Sequence, residues 1–134
     1  MKEQLIKLLD NAYAPYSNFK VAAIVKMRDG RTFGGVNVEN ASNGASVCAE
    51  RHAIANAITN GYKKGDFESL SLISNSNRIT YPCFICRQVM LEFLDDECDI
   101  ILYSENEFGK ILKVKDLTPY PFNEKDLIVW SQDL

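Results

Sequence analysis

Apolar side chains recur three and four positions apart near the start of the chain. They lie at Leu5, Leu8, Leu9, Ala12 and Tyr13 in an otherwise polar segment. This spacing places them on one face of an amphipathic helix over residues 2–13. Because proline disfavours helical backbone at the residue before it, Pro15 should end this helix near Ala14.

Strict alternation replaces the helical period over residues 19–27. Every odd position there is apolar and β-branched residues occur among them, which predicts a strand. Asp29-Gly30 suits a tight turn that needs positive φ, so residues 32–38 should return as the partner strand of a hairpin. Within that strand, Gly34-Gly35 marks a bulge or a close approach of backbone.

The remaining pattern predicts two more helices and three more strands. The predicted elements are a helix from Ser46 or Val47 to Gly61, a strand at 67–74, a helix at 83–94, and strands at 99–103 and 111–114. The apolar stripes of these helices consist of Ala53, Ile54, Ala57 and Ile58, and of Cys86, Val89, Met90 and Phe93. We expect residues 116–134 to be mostly irregular, with a short helix near 124–129 as the one candidate element.

The order of these elements indicates the fold class. Helices interspersed with strands predict an α/β protein, specifically a three-layer α/β/α sandwich with a mixed sheet of about five strands. A chain of 134 residues that is 46% hydrophobic can bury one ordinary core, so residues 1–134 should form a single domain.

Charge and hydropathy narrow the classes of function. The net charge of −3 argues against a nucleic-acid polymer as partner, because such proteins normally carry basic stripes that neutralise phosphates. The polar N-terminus and the lack of a long apolar run predict neither a signal peptide nor a membrane-spanning helix. We therefore expect a cytoplasmic protein with no membrane partner, whose cysteines are reduced and available to bind metal.

Three of the four cysteines form a spaced pattern with one carboxylate. Cys48-Ala49-Glu50-Arg51 is followed about one supersecondary unit later by Pro82-Cys83-Phe84-Ile85-Cys86-Arg87-Gln88. Three thiolates fill three positions of a tetrahedral zinc and leave the fourth open, as a catalytic zinc requires. Glu50, two residues past the first thiol, is then placed to carry a proton.

Other interpretations of these cysteines exist. A Cys-x-x-Cys pair alone also fits a redox pair or a structural zinc knuckle, but a redox pair requires neither an outlying third cysteine nor an acid beside it. Cys98 is most simply a buried free thiol. As a fourth ligand it would close the site and make the protein a structural zinc module. His52, the only histidine, is expected on a helix surface or at an interface.

Together these residues resemble the cytidine deaminase family, in particular its small-subunit homotetrameric type. The resemblance runs from about Ala14 to Phe122. It rests on four blocks in order, namely Ala14-Pro15-Tyr16-Ser17-Asn18-Phe19-Lys20-Val21, Asn37-Val38-Glu39-Asn40-Ala41-Ser42, Cys48-Ala49-Glu50-Arg51, and Pro82-Cys83 with Cys86-Arg87-Gln88-Val89. It implies zinc-dependent hydrolysis of cytidine or deoxycytidine to the uridine nucleoside and ammonia, in pyrimidine salvage, with active sites shared between subunits of a homotetramer.

The resemblance also implies roles for single residues. The zinc ligands would be Cys48, Cys83 and Cys86, and Glu50 would be the acid and base. The nucleoside would be bound by Phe19, Asn37, Glu39 and Ala49, and by Phe122 reaching into a neighbouring subunit's site. Arg51 and Gln88 would support the thiolates, which need compensating positive charge.

The chain departs from the family's usual pattern at a few positions. They are Ala22 in place of glycine, Asn43 in place of tyrosine, and Phe84-Ile85 in place of Gly-Ala. Bulky residues between the later cysteines are expected to narrow the pocket. The alternative prediction is therefore the same chemistry on a different small aminated heterocycle or modified nucleoside.

Overall fold

A computed structural model describes residues 1–106 and 109–127 of the chain. Five strands form within these residues: β1 (Val21–Met27), β2 (Thr32–Val36), β3 (Phe67–Ser74), β4 (Asp99–Leu102) and β5 (Lys110–Lys113). The helices are α1 (Lys2–Leu9), α2 (Ala49–Thr59), α3 (Phe84–Phe93) and α4 (Val114–Leu117), with one 3-10 turn at Asn43–Ala45. None of the helices in the described part has the length and apolar character needed to cross a bilayer.

The strands form one mixed sheet in the order β2-β1-β3-β4-β5. The β3 and β4 strands are parallel, and every other neighbouring pair is antiparallel. A parallel pair needs a long crossover connection, and α3 supplies it. The predicted mixed sheet of five strands is thus confirmed.

Successive residues of β1 point to opposite faces of the sheet. Ala22 and Ile24 pack with Leu5 of α1, whereas Ala23 and Val25 belong to the larger core under α2 and α3. Helices therefore cover both faces, which confirms the three-layer α/β/α architecture.

The first helix is shorter than the periodicity predicts. It ends at Leu9, and the backbone of Tyr13 instead exchanges hydrogen bonds with the segment after β2. The Tyr13 amide donates to the Asn37 carbonyl at 3.0 Å, and the Glu39 amide donates to the Tyr13 carbonyl at 2.8 Å. The prediction of a helix to residue 13 is wrong because these long-range bridge bonds replace the helical ones.

The second helix begins later than predicted. The sequence favours a start at Ser46 or Val47, but Val47 pairs with Val38 in an antiparallel bridge and Cys48 is still extended, with ψ 150°. Cys48 is the N-cap, and Ala49 is the first helical residue. Cys48 therefore caps the N-terminal end of α2 and does not lie within its first turn.

Most of the predicted helical stripes are buried as expected. The residues of α2 and α3 that are buried are Ala53, Ile54, Ala57, Cys86 and Met90, while Val89 and Phe93 are partly buried against the same core. Ile58 is 37% exposed, so its assignment to the stripe is wrong. It lies at the margin of a helix whose small alanines already meet the sheet.

Gly35 lets α2 approach the sheet closely. A Cβ atom at this position would lie 2.4 Å from the Ala53 nitrogen and 2.7 Å from the Ala49 oxygen. The close backbone approach expected at Gly34-Gly35 is confirmed, whereas β1 and β2 pair there without a bulge. The N-terminal end of α2 is thus set directly against β2.

The segment after β4 is more ordered than the sequence predicts. The predicted strand at 111–114 is β5, one residue earlier, because Val114 begins α4. The Lys113 amide donates to the Asp116 carboxylate at 2.9 Å, which caps this short helix. Residues 124–127 are helical, in line with the predicted short helix at 124–129, and the last two positions of that prediction lie outside the described residues.

Candidate active site

The three cysteines of the motif meet where two helices begin. Cys48 is the N-cap of α2, Cys83 is the N-cap of α3, and Cys86 lies in the first turn of α3. Their sulfur atoms all lie within 4.8 Å of one another. The Cys83 and Cys86 sulfurs are 3.3 Å apart, and the Cys48 and Cys83 sulfurs are 4.0 Å apart.

This arrangement fits a zinc ion. Thiolates bound about 2.3 Å from a tetrahedral zinc lie roughly 3.8 Å from each other, close to the spacings found here. The positive ends of α2 and α3 both point at the cluster and favour thiolate over thiol. The three residues supply soft sulfur donors and leave a fourth position for a non-protein ligand, so the donor set suits a catalytic zinc.

Cys98 takes no part in the cluster. Within the described residues, the group that could hold a metal consists of the three motif cysteines alone. Cys98 is buried, and its thiol donates to the Phe67 carbonyl at 3.2 Å. The prediction of a free buried thiol is confirmed, and a structural zinc module closed by Cys98 is ruled out by this position.

Charge is shared unevenly among the thiols. Hydrogen bonding from Cys86, followed by Arg51, lowers the pKa of Cys48. In turn, the hydrogen bond to Cys48, followed by burial, raises the pKa of Cys86. The Arg51 guanidinium donates to the Ser46 carbonyl at 3.2 Å and lies 3.8 Å from the Cys48 sulfur, which places positive charge beside the cluster as predicted.

Glu50 is the buried acid of the site. Its side chain is in the second position of α2 and only 5% of the residue is exposed, yet it lines the cleft next to the cysteines. Burial is the main cause that raises the pKa of Glu50 to about 7, and the charge on Cys48 adds to it. A carboxyl group with such a pKa can both hold and release a proton near neutral pH.

A cleft of about 410 Å³ opens onto this centre. That volume lies within the range of about 300–1,000 Å³ typical of small-molecule sites. The predicted substrate-binding residues that line it are Phe19, Asn37, Glu39 and Ala49. Cys48, Glu50 and Cys83 also line it, so two of the three candidate metal ligands share one cavity with the predicted binding residues.

Asn37 and Glu39 are already engaged by backbone groups. The Asn37 amide accepts from the Val21 nitrogen at 2.9 Å and donates to the Phe19 carbonyl at 2.7 Å. The Glu39 carboxylate accepts from the amides of Tyr16 and Ser17, at 3.0 and 3.1 Å, and from the Ser17 hydroxyl. Each side chain keeps further hydrogen-bonding capacity for a ligand.

Gln88 and Phe122 are not brought to the thiols within one chain. The Gln88 amide donates to the Phe122 carbonyl at 2.8 Å, a different partner from the predicted thiolates. Phe122 is 61% exposed and is not among the residues lining the cleft of its own chain. Gln88 thus anchors the segment that carries Phe122.

Two departures from the family pattern lie away from the cleft. Phe84 and Ile85 are 79% and 65% exposed and do not line it, so the expectation that they narrow the pocket is wrong. They precede the inward-facing Cys86 on the outer side of α3, and Arg87 stacks over the Phe84 ring at 4.5 Å. Ala22 is buried against α1, whereas Asn43 does line the cleft.

Several cleft residues were not singled out from the sequence. They include Tyr16, Ser17, Val47, Thr80 and Tyr81. Tyr16 and Ser17 belong to the turn that precedes Phe19, and Thr80 and Tyr81 directly precede the second cysteine block. Proximity in sequence to the motifs was the one signal that could have identified them.

His52 lies on the exposed side of α2, as predicted. Its Nδ1 atom lies 3.0 Å from the Val36 carbonyl oxygen and 3.3 Å from the Val36 nitrogen. This contact ties the helix to the end of β2 and leaves the imidazole out of the cysteine cluster.

Comparison with known proteins agrees with this geometry. A family model of the cytidine and deoxycytidylate deaminase zinc-binding region matches residues 1–101. The chain is 36% identical to cytidine deaminase of Mycoplasma genitalium, over 86% of this chain and 87% of that protein. It is also 36% identical to cytidine deaminase of Halalkalibacterium halodurans, with 93% of each covered. The crystal structure of cytidine deaminase from Burkholderia pseudomallei superposes with a TM-score of 0.86 at 38% identity, covering 90% of this chain and 94% of that one. The chain therefore belongs to the cytidine and deoxycytidylate deaminase family.

Proposed function

We propose that this protein is a zinc-dependent hydrolase that converts cytidine or deoxycytidine to the corresponding uridine nucleoside and ammonia. The observation that carries the proposal is the buried Glu50 carboxyl at the floor of a nucleoside-sized cleft, beside three clustered thiols. The relatives named cytidine deaminase, which cover most of the chain, support the same reaction.

Cys48, Cys83 and Cys86 would hold the zinc ion. A zinc ion bound there supplies a Lewis acid that makes water a good nucleophile near neutral pH. The two helix N-termini and the Arg51 guanidinium offset the negative charge of three thiolates, which would otherwise weaken this effect.

Glu50 moves the protons of the reaction. It accepts one from the attacking water, whose oxygen bonds to C4 of the ring, and delivers it to N3. It then passes the second proton of that water to the amino group as the C4–N4 bond breaks, so that ammonia leaves and a carbonyl remains. One carboxyl suffices because the group that accepts each proton then releases it.

Other residues that line the cleft would bind the sugar and base. Asn37 and Glu39 have free lone pairs or N–H groups that fit the hydroxyls of a ribose, and the Phe19 ring offers an apolar face. Ala49 also lines the cleft. A free base has no sugar hydroxyls to offer Asn37 and Glu39, so it would lose these contacts.

Phe122 completes the site of a neighbouring subunit in this proposal. Its exposure, and its absence from the cleft of its own chain, support a role across a subunit boundary. We further propose a homotetramer with shared active sites, built from chains that each act as one domain over residues 1–134. A cytoplasmic location and a role in pyrimidine salvage follow from the same assignment.

One observation favours a second candidate substrate. Asn43 lines the cleft at a position where the family usually has tyrosine. The side chain at this point of the wall is therefore smaller and more polar. The alternative is the same chemistry on a modified nucleoside or another small aminated heterocycle.

A substrate panel distinguishes the two. The zinc-loaded protein is mixed separately with cytidine, deoxycytidine, cytosine and ring-modified cytidines, and ammonia release is measured for each. The proposal expects cytidine and deoxycytidine to be converted far faster than cytosine. Preferential conversion of a modified ring would favour the alternative, and no conversion of any of them would refute both.

A further inference from the structure

The segment that carries Phe19 into the cleft precedes β1 and has an unusual backbone. Asn18 has φ 61°, in the left-handed region that is uncommon for residues other than glycine. Such a conformation persists only where the surroundings hold it. Since Phe19 is one residue further on, the direction of its ring depends on what holds this turn.

Asn37, on the β2 side, forms hydrogen bonds with this segment. Besides its two side-chain bonds to the Phe19 carbonyl and the Val21 nitrogen, its own backbone nitrogen donates to the Val21 carbonyl at 3.2 Å. Asn37 directly follows Val36, the last residue of β2.

Asn75, on the β3 side, forms hydrogen bonds with the same segment. Its side-chain oxygen accepts from the Lys20 nitrogen at 3.1 Å, and its side-chain nitrogen donates to the Asn18 carbonyl at 2.8 Å. Its backbone nitrogen donates to the Lys20 carbonyl at 3.0 Å. Asn75 directly follows Ser74, the last residue of β3.

The two asparagines are therefore equivalent in position and in bonding. β2 and β3 are the neighbours of β1 in the sheet, and each delivers an asparagine just past its end. Each asparagine makes three hydrogen bonds to residues 18–21, the segment that leads into β1. Asn37 holds the Phe19 carbonyl, and Asn75 holds the groups on both sides of Phe19, at Asn18 and Lys20.

We propose that Asn75 is a positioning residue for substrate binding, which acts by aiming the Phe19 ring at the nucleoside. This inference rests on the proposed function. Asn75 itself does not line the cleft, so its effect must pass through Phe19. In the proposed function the ring would contact the substrate in the ground state and the transition state alike, so loosening it should weaken binding without slowing the chemical step.

The first test is the kinetics of Asn75→Ala with cytidine. Loss of side-chain bonds on both sides of Phe19 should raise KM about tenfold and change kcat by less than about twofold. Asn77→Ala is the matched control, because Asn77 is an exposed asparagine in the same loop and its side chain makes no hydrogen bond in the described part of the chain. Its KM should stay within about twofold of wild type.

A double-mutant cycle with Phe19→Ala separates positioning from a general structural effect. If Asn75 acts through the Phe19 ring, then Asn75→Ala should add less than about twofold to the KM of Phe19→Ala. If the KM of the double variant instead rises by the product of the two single fold-changes, the proposal is overturned. A loss of kcat at unchanged KM would overturn it as well.

Amide hydrogen exchange gives a readout independent of turnover. Exchange of the Lys20 amide should be at least about tenfold faster in Asn75→Ala, because its acceptor is removed. Asn75→Asp keeps that acceptor but loses the donor to Asn18, so it should retain Lys20 protection and show an intermediate KM. If Asn75→Ala does not fold, Asn75→Asp carries the test, and a wild-type KM in that variant overturns the proposal.

Different results would contradict the proposed function and the role of Asn75. If wild-type protein does not convert cytidine, the proposed function is wrong, and the positioning role in that reaction is lost with it. If cytidine is converted but Lys20 exchange and KM are unaffected by Asn75→Ala, only the role of Asn75 is wrong.

Discussion

The Arg51 guanidinium lies 3.8 Å from the Cys48 sulfur, three residues earlier at the start of the same helix. Its Nε atom is buried and has no hydrogen-bond partner among the described residues. Three thiolates around a divalent ion carry excess negative charge, which makes a bound water less acidic. Arg51 therefore lies where a compensating charge is needed, and its role can be tested directly.

Arg51→Gln should weaken zinc binding and slow turnover by roughly 10- to 100-fold, since groups that support metal ligands have effects of this size. Competition with a chromophoric chelator measures the affinity. Arg28→Gln is the control, because Arg28 pairs with Asp95 on an exposed surface. Equal zinc affinity in the two variants would show that Arg51 does not stabilise the thiolates.

Cys83→Ser should abolish zinc binding while it preserves the start of α3. Cys83 caps this helix by accepting a hydrogen bond from the Cys86 nitrogen, and serine is a good N-cap residue. Any loss of thermal stability then reports the missing metal and not a missing cap. The measurements are zinc per chain and Tm.

Cys98→Ala is the comparison for that experiment, since Cys98 lies outside the cluster. It should keep one zinc per chain even if the small cavity lowers its stability. The ligand assignment is wrong if Cys83→Ser retains its zinc, or if Cys98→Ala loses it.

Gly35→Ala should destabilise the fold by about 3 kcal/mol, because the added methyl group would meet backbone atoms of α2. Urea denaturation measures the change in the free energy of unfolding. Gly44→Ala is the matched control, since a Cβ atom there meets nothing within 4 Å and the residue has no positive φ. Equal stability of the two variants would contradict the close packing of α2 against β2.

The Glu39 carboxylate should make the Tyr16-Ser17 turn sensitive to acid. The hydrogen bond from the Ser17 hydroxyl is the main cause that lowers the pKa of Glu39. A group with a lowered folded-state pKa contributes stability that is present above its unfolded pKa and is lost as pH falls through the folded one. Stability should therefore fall as the pH is lowered from about 5 through and below the ordinary range of a glutamate pKa.

Glu39→Gln should reduce this pH dependence, and unfolding free energies measured across that range would show it. Glu68→Gln, at an exposed position near the start of β3, serves as the control and should keep the wild-type dependence. An unchanged acid slope in Glu39→Gln would mean that other carboxylates dominate acid unfolding.

Local patterns predicted much of the fold. The alternation at residues 19–27 with Asp29-Gly30 was sufficient for the β1–β2 hairpin, and the helical spacing of Cys86 and Met90 identified the inner face of α3. The cysteine spacing identified the three thiols that the fold brings together. Each of these features is encoded within a short stretch of sequence.

The sequence-based predictions were wrong or silent where contacts with distant segments determine the local structure. Tyr13 has a helical period, but its backbone pairs with the segment after β2. Phe84 and Ile85 lie between two ligands in sequence, yet they point to solvent because Cys86 takes the inner face of α3. Asn75 has no local signature at all, because its partners lie more than fifty residues away.

The proposed mechanism requires that Glu50 carries the protons beside a zinc held by cysteines. Comparing Glu50→Gln with wild type tests this most directly, with zinc content and cytidine turnover measured on the same samples. We predict one zinc per chain in both proteins and a turnover that is lower by roughly 10²- to 10⁴-fold in the variant. Near-normal turnover in zinc-loaded Glu50→Gln would contradict the mechanism.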